Sequence, residues 1–420
     1  MSPRTDGVEY FAWHHEGFFF INTNLEAKNF RLMKASVDQP TIEQWIEVIP
    51  HREDVLLEWV DSFKDYVVLY ERQNGLRQIR ISAPDALTEV RYVQFPEPAY
   101  YVELESNPEY DTSILRFRYS SLITPPSVVD YHMGTGEWQV IKCEEIPSGY
   151  DISKYVSERT YAIAADGKFI PISLVYKKDL VRDGNNPTLL YGYGAYGASM
   201  DPDFNSRRFS LLDRGFVFAI GHIRGGSDMG RAWYEEGKLF NKKNTFTDFI
   251  ACAEHLIKEG FTSKEKLAIE GGSAGGLLVS ACFTMRTDLF KAVIAKVAFV
   301  DVVTTMSDPT IPLTTLEYDE WGNPNNYELY KYMMSYSPYD NIRPTQYPHI
   351  LITTGLNDPR VAYWEPAKFT ARLRELKADD NTILLKTNFE AGHAGASGRY
   401  DYLKEVALHF AFLIDKVGMP

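Results

Sequence analysis

The chain has 420 residues, 45% of them hydrophobic and 24% charged. That is an ordinary globular composition with chain enough for two or three domains, and it excludes a disordered, collagen-like or low-complexity protein. Asp and Glu outnumber Lys and Arg by 57 to 44, a formal charge of −13, which argues against a nucleic-acid or anionic-membrane partner.

The cysteines are Cys143, Cys252 and Cys282, with no CxxC pair. So sparse and odd a set is not a disulfide framework and points to a reducing cytoplasm. No apolar stretch approaches the roughly 18 residues of a membrane helix. Met1 to Gly17 carries Asp6, Glu9, His14, His15 and Glu16 and does not read as a signal peptide.

Residues 1–146 read as short strands separated by turns. Strands are predicted at Gly17–Ile21, Asp65–Glu71, Gly75–Ile81, Tyr100–Leu104, Ile114–Tyr119 and Glu137–Cys143. Asn74-Gly75 and the run from Gly134 to Gly136 sit where hairpins turn, and Thr124-Pro125-Pro126 separates two strands. The all-β pattern fits a sandwich, barrel or propeller.

From residue 147 the pattern changes. A hairpin over Thr160–Ala165 and Phe169–Lys177 turns at Asp166-Gly167. Apolar strands follow at Thr188–Tyr193, Gly215–Ile220, Leu267–Glu270, Ala292–Val297, His349–Thr353 and Thr382–Lys386. Phe246, Phe249, Ile250, Ala253, Leu256 and Ile257 fall on one face of a 3.6-residue period, predicting a helix over 244–260 with Asn244 as N-cap and Gly260 as stop. Further helices are predicted at Pro366–Leu376 and Tyr402–Ile414. Alternating β and α with near-continuous apolar strands indicates a mostly parallel sheet covered on both faces. The expected fold class is α/β: domain 147–420 of this kind, preceded by the all-β domain 1–146.

Chemistry concentrates in three loops. Gly271-Gly272-Ser273-Ala274-Gly275-Gly276 contains G-x-S-x-G between a predicted strand and a predicted helix, the context of a nucleophile elbow. Small residues permit the sharp turn, and the helix N-terminus favours a developing oxyanion. The absence of Gly-Lys-Ser/Thr weighs against a phosphate loop. A serine nucleophile needs a base and an orienting acid. Asp358 follows the strand His349–Thr353, and His393, flanked by glycines, follows Thr382–Lys386. His409, in a helical run, reads as packing or surface. The third loop, Tyr191-Gly192-Tyr193-Gly194-Ala195-Tyr196, reads either as an aromatic turn packed beneath the fold or as the source of a Tyr hydroxyl that stabilises an oxyanion together with the Ala274 N–H.

These runs, with Arg224-Gly225-Gly226 and Tyr318-Asp319-Glu320-Trp321-Gly322, resemble the prolyl oligopeptidase family, and more closely its oligopeptidase B branch. The resemblance spans essentially the whole chain and is densest after residue 150. It implies an α/β-hydrolase peptidase domain capped by a seven-bladed β-propeller and acting on short peptides without metal or cofactor. It assigns Ser273 as nucleophile, His393 as general base, Asp358 as its orienter, Tyr193 as side-chain oxyanion donor and Arg360 as a contact to a substrate carbonyl. The branch cleaves after Arg or Lys. By position, Glu317 and Asp319 hold the basic P1 side chain, Asp319 standing where the branch pattern has Glu, and Asp201 and Asp203 match the pair assigned to a basic P2. A carboxylate suits this task because it accepts paired hydrogen bonds from guanidinium.

At about 40 to 50 residues per blade, residues 1–146 supply about three blades, so this reading expects an N-terminally incomplete propeller with exposed strand edges. Two alternatives share the fold. A related acyl hydrolase, such as an acylaminoacyl peptidase or esterase, would differ in the acidic pocket. A non-catalytic scaffold would not need Ser273, Asp358 and His393.

Overall fold

The computed structural model describes residues 3–398 and 400–418, and these divide into two compact units. The first comprises residues 1–152 with two later segments, Asp201–Ser206 and Ser227–Trp233; the second comprises Ser153–Met200, Arg207–Gly226 and Tyr234–Pro420.

Among the described residues, the first unit carries three four-stranded antiparallel sheets, each a meander in which consecutive strands pair. Sheet one is Tyr10–His15, Phe18–Thr23, Arg31–Ser36 and Ile46–Ile49 (β1–β4). Sheet two is Val55–Ser62, Val67–Gln73, Leu76–Ala83 and Ala86–Tyr92 (β5–β8). Sheet three is Tyr100–Leu104, Ile114–Ser121, Ser127–His132 and Trp138–Cys143 (β9–β12). Alternating side chains bury one residue in two against a neighbouring sheet. Phe20, Leu32, Leu57, Val60, Val67 and Leu69 join sheets one and two, and Val68, Tyr70, Ile79, Val102, Leu115 and Phe117 join sheets two and three. β6 contributes to both clusters and is almost wholly buried, whereas every residue of β12 is exposed. Stacked four-stranded meanders of this kind are propeller blades.

The second unit is built on one eight-stranded sheet in the order β13-β14-β16-β15-β17-β18-β19-β20. The strands are Tyr155–Ile163, Phe169–Lys177, Thr188–Tyr191, Val217–Gly221, Leu267–Gly272, Ala292–Lys296, His349–Gly355 and Ile383–Asn388 (β13–β20). The hairpin β13–β14 and the pair β14–β16 are antiparallel; from β16 onward every pair is parallel. The register sets Tyr191 beside Glu270 and Gly272 beside Lys296, so the C-terminal ends of the parallel strands lie in one row.

Helices cover both faces. In β17 the Glu270 side chain points to the face of the helix Tyr402–Val417, where it feels His409, while the adjacent Gly271 points the other way, against the helix Ala274–Met285. Residues 274–284 are all buried, as an apolar helix without a solvent face must be. The helix Lys243–Lys258 buries Phe246, Phe249, Ala253 and Leu256 of the expected stripe, leaves Ile250 and Ile257 half-buried, and encloses Thr245, Cys252 and one charge as well. That charge, Asp248, accepts two hydrogen bonds from the buried Arg224 guanidinium at 2.6 and 2.8 Å. Among the described residues no helix is long and apolar enough to cross a membrane.

Two sequence expectations need correction. Asn244 lies inside its helix, not at its cap: the chain enters through a 3-10 turn, Leu239–Asn241, and the Asn244 side chain donates to the Glu236 carbonyl instead. Strand ends also shift, Asp65–Glu71 becoming Val67–Gln73, because Phe63 N–H pairs with Tyr66 C=O and makes residues 63–66 a turn.

Candidate active site

Ser273 follows β17 and caps the helix Ala274–Met285, with φ 59° and ψ −120°. A non-glycine residue there is strained by about 1–3 kcal/mol, and four backbone bonds hold it. Its N–H donates to Lys296 C=O at 2.8 Å, and its C=O accepts from Gly276, Leu277 and Phe299 N–H at 2.9, 3.1 and 3.3 Å. The turn closes only because its neighbours are small: a Cβ on Gly271 would lie 2.1 Å from the Gly275 carbonyl oxygen. Ala274 opens the helix, in whose first turn N–H groups have no intrahelical acceptor.

Asp358 and His393 come from the loops after the adjacent parallel strands β19 and β20. The two loops are tied by Leu356 N–H to Asn388 C=O at 2.9 Å and Asn357 N–H to Ala391 C=O at 3.1 Å. His393 Nδ1 lies 2.7 Å from Asp358 Oδ2, while Asp358 Oδ1 accepts the N–H groups of Arg360 and Val361 at 2.8 and 3.0 Å. The Asp358 side chain is fully buried and that of His393 is 15% exposed. Burial pushes the Asp358 carboxyl up, but the bonds from His393, Val361 and Arg360 outweigh it and hold its pKa below the ordinary value. A carboxylate held by three donors stays ionised and fixes the imidazole with its proton on Nδ1.

The Tyr193 phenol lies beside the Ser273 side chain. Burial raises the Tyr193 pKa and the neighbouring Ser273 side chain only partly offsets it, so the phenol stays protonated and able to donate. Among the described residues no hydrogen bond joins His393 to Ser273; contacts of this kind commonly tighten only once substrate is bound.

Glu317 precedes the short helix Tyr318–Trp321, and its Oε2 accepts the Tyr196 hydroxyl at 2.7 Å and the Trp321 indole N–H at 2.9 Å. Burial and the Glu317 charge push the Tyr196 phenol well above its usual pKa. Asp319 is exposed on the same helix, and Arg360 supports Asp358 through its backbone while its side chain is exposed. Asp201 and Asp203 belong to the first unit. Both oxygens of Asp201 are held by the Arg72 guanidinium, at 2.7 and 3.2 Å, and Asp203 is exposed.

The geometry also contains residues that the sequence did not single out. Glu320, buried, accepts the Tyr196 N–H at 3.1 Å and the Tyr234 hydroxyl at 2.8 Å, and Lys242, also buried, donates to Gly194 C=O at 2.6 Å. Glu320 lies within the motif Tyr318–Gly322, which marked the region; Lys242 had no signal. Among the described residues no group of three or more His, Cys, Asp or Glu side chains could hold a metal ion.

A model of the prolyl oligopeptidase family matches residues 202–420, and one of that family's N-terminal β-propeller domain matches residues 1–144. The chain belongs to the prolyl oligopeptidase family. It is 48% identical over 421 residues to dipeptidyl aminopeptidase BI of Pseudoxanthomonas mexicana, covering 100% of this chain and 58% of that protein. It is 46% identical to protease 2 of Moraxella lacunata, covering 100% of this chain and 60% of the relative. The structure of oligopeptidase B from Trypanosoma brucei with covalently bound antipain, in its closed form, superposes with a TM-score of 0.92 at 46% identity, over 99% of this chain and 60% of that one. The chain thus spans about three fifths of the length of these relatives. The fold is an α/β-hydrolase domain with propeller blades, as the resemblance implied, and it decides among the sandwich, barrel and propeller that the strand pattern left open.

Proposed function

We propose that the chain acts as a serine endopeptidase on short peptides, cutting after Arg or Lys through an acyl-enzyme on Ser273. The observation that carries this reading is His393 aligned on the buried Asp358 at 2.7 Å, in loops beyond adjacent parallel strands of the sheet whose β17 ends at the strained Ser273. His393 takes the Ser273 proton through Nε2 as the hydroxyl attacks the scissile carbonyl, and Asp358 stabilises the imidazolium. Tyr193 and the Ala274 N–H donate to the oxyanion, the phenol lying beside the Ser273 side chain that attacks. The intermediate collapses, His393 protonates the leaving amine, and water activated by the same His releases the acyl group.

Glu317 is the proposed P1 carboxylate. Tyr196 and Trp321 both bond its Oε2, which orients the group and leaves Oε1 for a guanidinium or ammonium. Asp319 is its exposed second contact, and Arg360 the contact to a substrate carbonyl. Of the acidic pair assigned to P2, Asp203 is exposed, whereas Asp201 would serve only in competition with Arg72. Three free cysteines, one of them exposed, support action in a reducing cytoplasm.

Ser273→Ala in a folded chain should reduce cleavage of an Arg-anilide to background, and failure of a fluorophosphonate to label Ser273 would favour the scaffold reading. In a matched panel, Arg and Lys at P1 should exceed Phe and Pro by at least about a hundredfold; equal rates on Phe would refute the acidic pocket. The name of the 48% identical relative, dipeptidyl aminopeptidase BI, favours one second reading, release of dipeptides from a free N-terminus. N-terminal acetylation of the substrate would abolish that activity and spare an endopeptidase.

A further inference from the structure

A buried lysine is costly. Removing an ammonium from water costs several kcal/mol unless partners replace the solvent, so a Lys at an interior position where Met or Leu would pack asks for an explanation. Lys242 is such a residue, 2% exposed, with its Nζ 3.7 Å from Glu320 Oε1 and 4.7 Å from the centroid of the Trp321 ring. Burial drags its pKa down to about 8 despite the opposing charge of Glu320.

What Lys242 and Glu320 grip is more specific than a core contact. Lys242 donates to the carbonyl of Gly194, the residue after Tyr193, at 2.6 Å, and Glu320 accepts the N–H of Tyr196 at 3.1 Å. The two side chains therefore bracket the turn that carries the Tyr193 phenol. The turn also sits on backbone: a Cβ on Gly225 would lie 2.1 Å from the Gly194 oxygen, which explains the glycine of the Arg224-Gly225-Gly226 run. On its other side Glu320 is joined in one short turn to Trp321 and Glu317, and Trp321 meets Tyr196 edge-on at 5.7 Å. One buried pair thus touches both the oxyanion loop and the helix behind the acidic pocket.

We propose that Lys242 and Glu320 are positioning residues for peptide cleavage: they fix the Tyr191–Tyr196 loop so that the Tyr193 phenol is held on the reacting centre, in register with Glu317. The proposal rests on the reading of Tyr193 as oxyanion donor. An apolar side chain at 242 would fill the same space but leave the Gly194 carbonyl without its donor and Glu320 buried beside no cation.

The test is a double-mutant cycle on the full chain, with kcat and KM measured separately on an Arg-anilide. Tyr193→Phe should lower kcat by about a hundredfold. Lys242→Met should lower kcat by about tenfold or more and change KM by less than about threefold, the split expected when an interaction matters chiefly in the transition state. In the Tyr193→Phe background, Lys242→Met should cost less than about twofold, because the group it positions is gone. A merely structural role would multiply through instead, and equal losses in both backgrounds would overturn the proposal. If Tyr193→Phe alone leaves kcat unchanged, the reading of Tyr193 falls first and the proposal with it. Should Lys242→Met lose its cooperative melt, Glu320→Gln, close in shape, runs the same cycle, with non-additivity expected and additivity decisive against.

Discussion

At the scale of single residues, the site turns on where one proton sits. Asp358 keeps both oxygens occupied by donors, two from backbone and one from His393. Asp358→Asn can preserve the two backbone bonds on its remaining oxygen. Its amide, however, would face His393 Nδ1 as a donor and force that nitrogen to accept. The ring proton would then move to Nε2, which could no longer take the serine proton. A fall in kcat of about 10³–10⁴ is expected with little change in melting temperature; a variant within tenfold of the parent would remove Asp358 from the mechanism. The partnership of Asp358 and His393 was readable because each lies in a loop directly after an apolar strand, in the chain order that an α/β hydrolase requires. Lys242 was not. In sequence it is one of a cluster with Lys238 and Lys243 and looks solvated, and only the docking of the helix Lys243–Lys258 against the sheet decides which of the three is enclosed.

At the scale of elements, the helix Trp364–Leu376 does more than cover the sheet. Its first-turn residue Glu365 is buried, and its carboxyl accepts the N–H groups of Val300 and Asp301 at 3.0 and 2.9 Å and the Thr305 hydroxyl at 2.6 Å. It thereby anchors the segment between β18 and the short helix Val302–Ser307. Asp301 itself pairs with Lys368, one turn further along the same helix as Glu365. Burial, reinforced by the Asp301 charge, lifts the Glu365 pKa from the ordinary 4.5 to about 7 against those hydrogen bonds. The folded chain therefore keeps a proton that the unfolded chain gives up near pH 4.5. Stability falls as pH rises from about 4.5 to about 7 and stays lower above, by a contribution on the order of 3 kcal/mol. Glu365→Gln mimics the protonated form and can keep the same three partners, its amide oxygen accepting the two backbone N–H groups and its NH2 donating to a Thr305 hydroxyl turned to accept. Its melting temperature should match the parent near pH 5 and exceed it by a few degrees at pH 8; a difference that does not change with pH would refute the assignment. The helix was expected from Pro366 at its first turn. The meaning of Glu365 was not, because an acidic residue there looks like an ordinary solvated partner of the helix dipole.

At the scale of the whole molecule, chain order and compact units part company. A change from period-two to alternating β and α patterns near residue 147 is visible because periodicity is a property of continuous runs. The segments Asp201–Ser206 and Ser227–Trp233 have no period, yet they belong to the unit of stacked sheets. Polar contacts help tie them there, among them Arg72 to Asp201 and the Arg231 N–H to Asn29 Oδ1 at 2.7 Å. The first bond is the stronger by chemistry. The Arg72 side chain is only 2% exposed, pairs bidentately with Asp201 and donates through Nε to Glu58 at 2.6 Å. Burial lowers the Arg72 pKa, but the charges of Glu58 and Asp201 prevail and the guanidinium stays ionised. Asp201→Asn would take from that buried cation one of the two carboxylates that hydrogen-bond it, a loss of about 3 kcal/mol. Asp201→Asn should thus lower the melting temperature of the stacked-sheet unit while changing the preference for Arg over Ala at P2 by less than about twofold. Asp203→Asn should weaken the P2 preference. If Asp201→Asn abolishes that preference at unchanged stability, then substrate outcompetes Arg72, and Asp201 belongs to recognition before architecture.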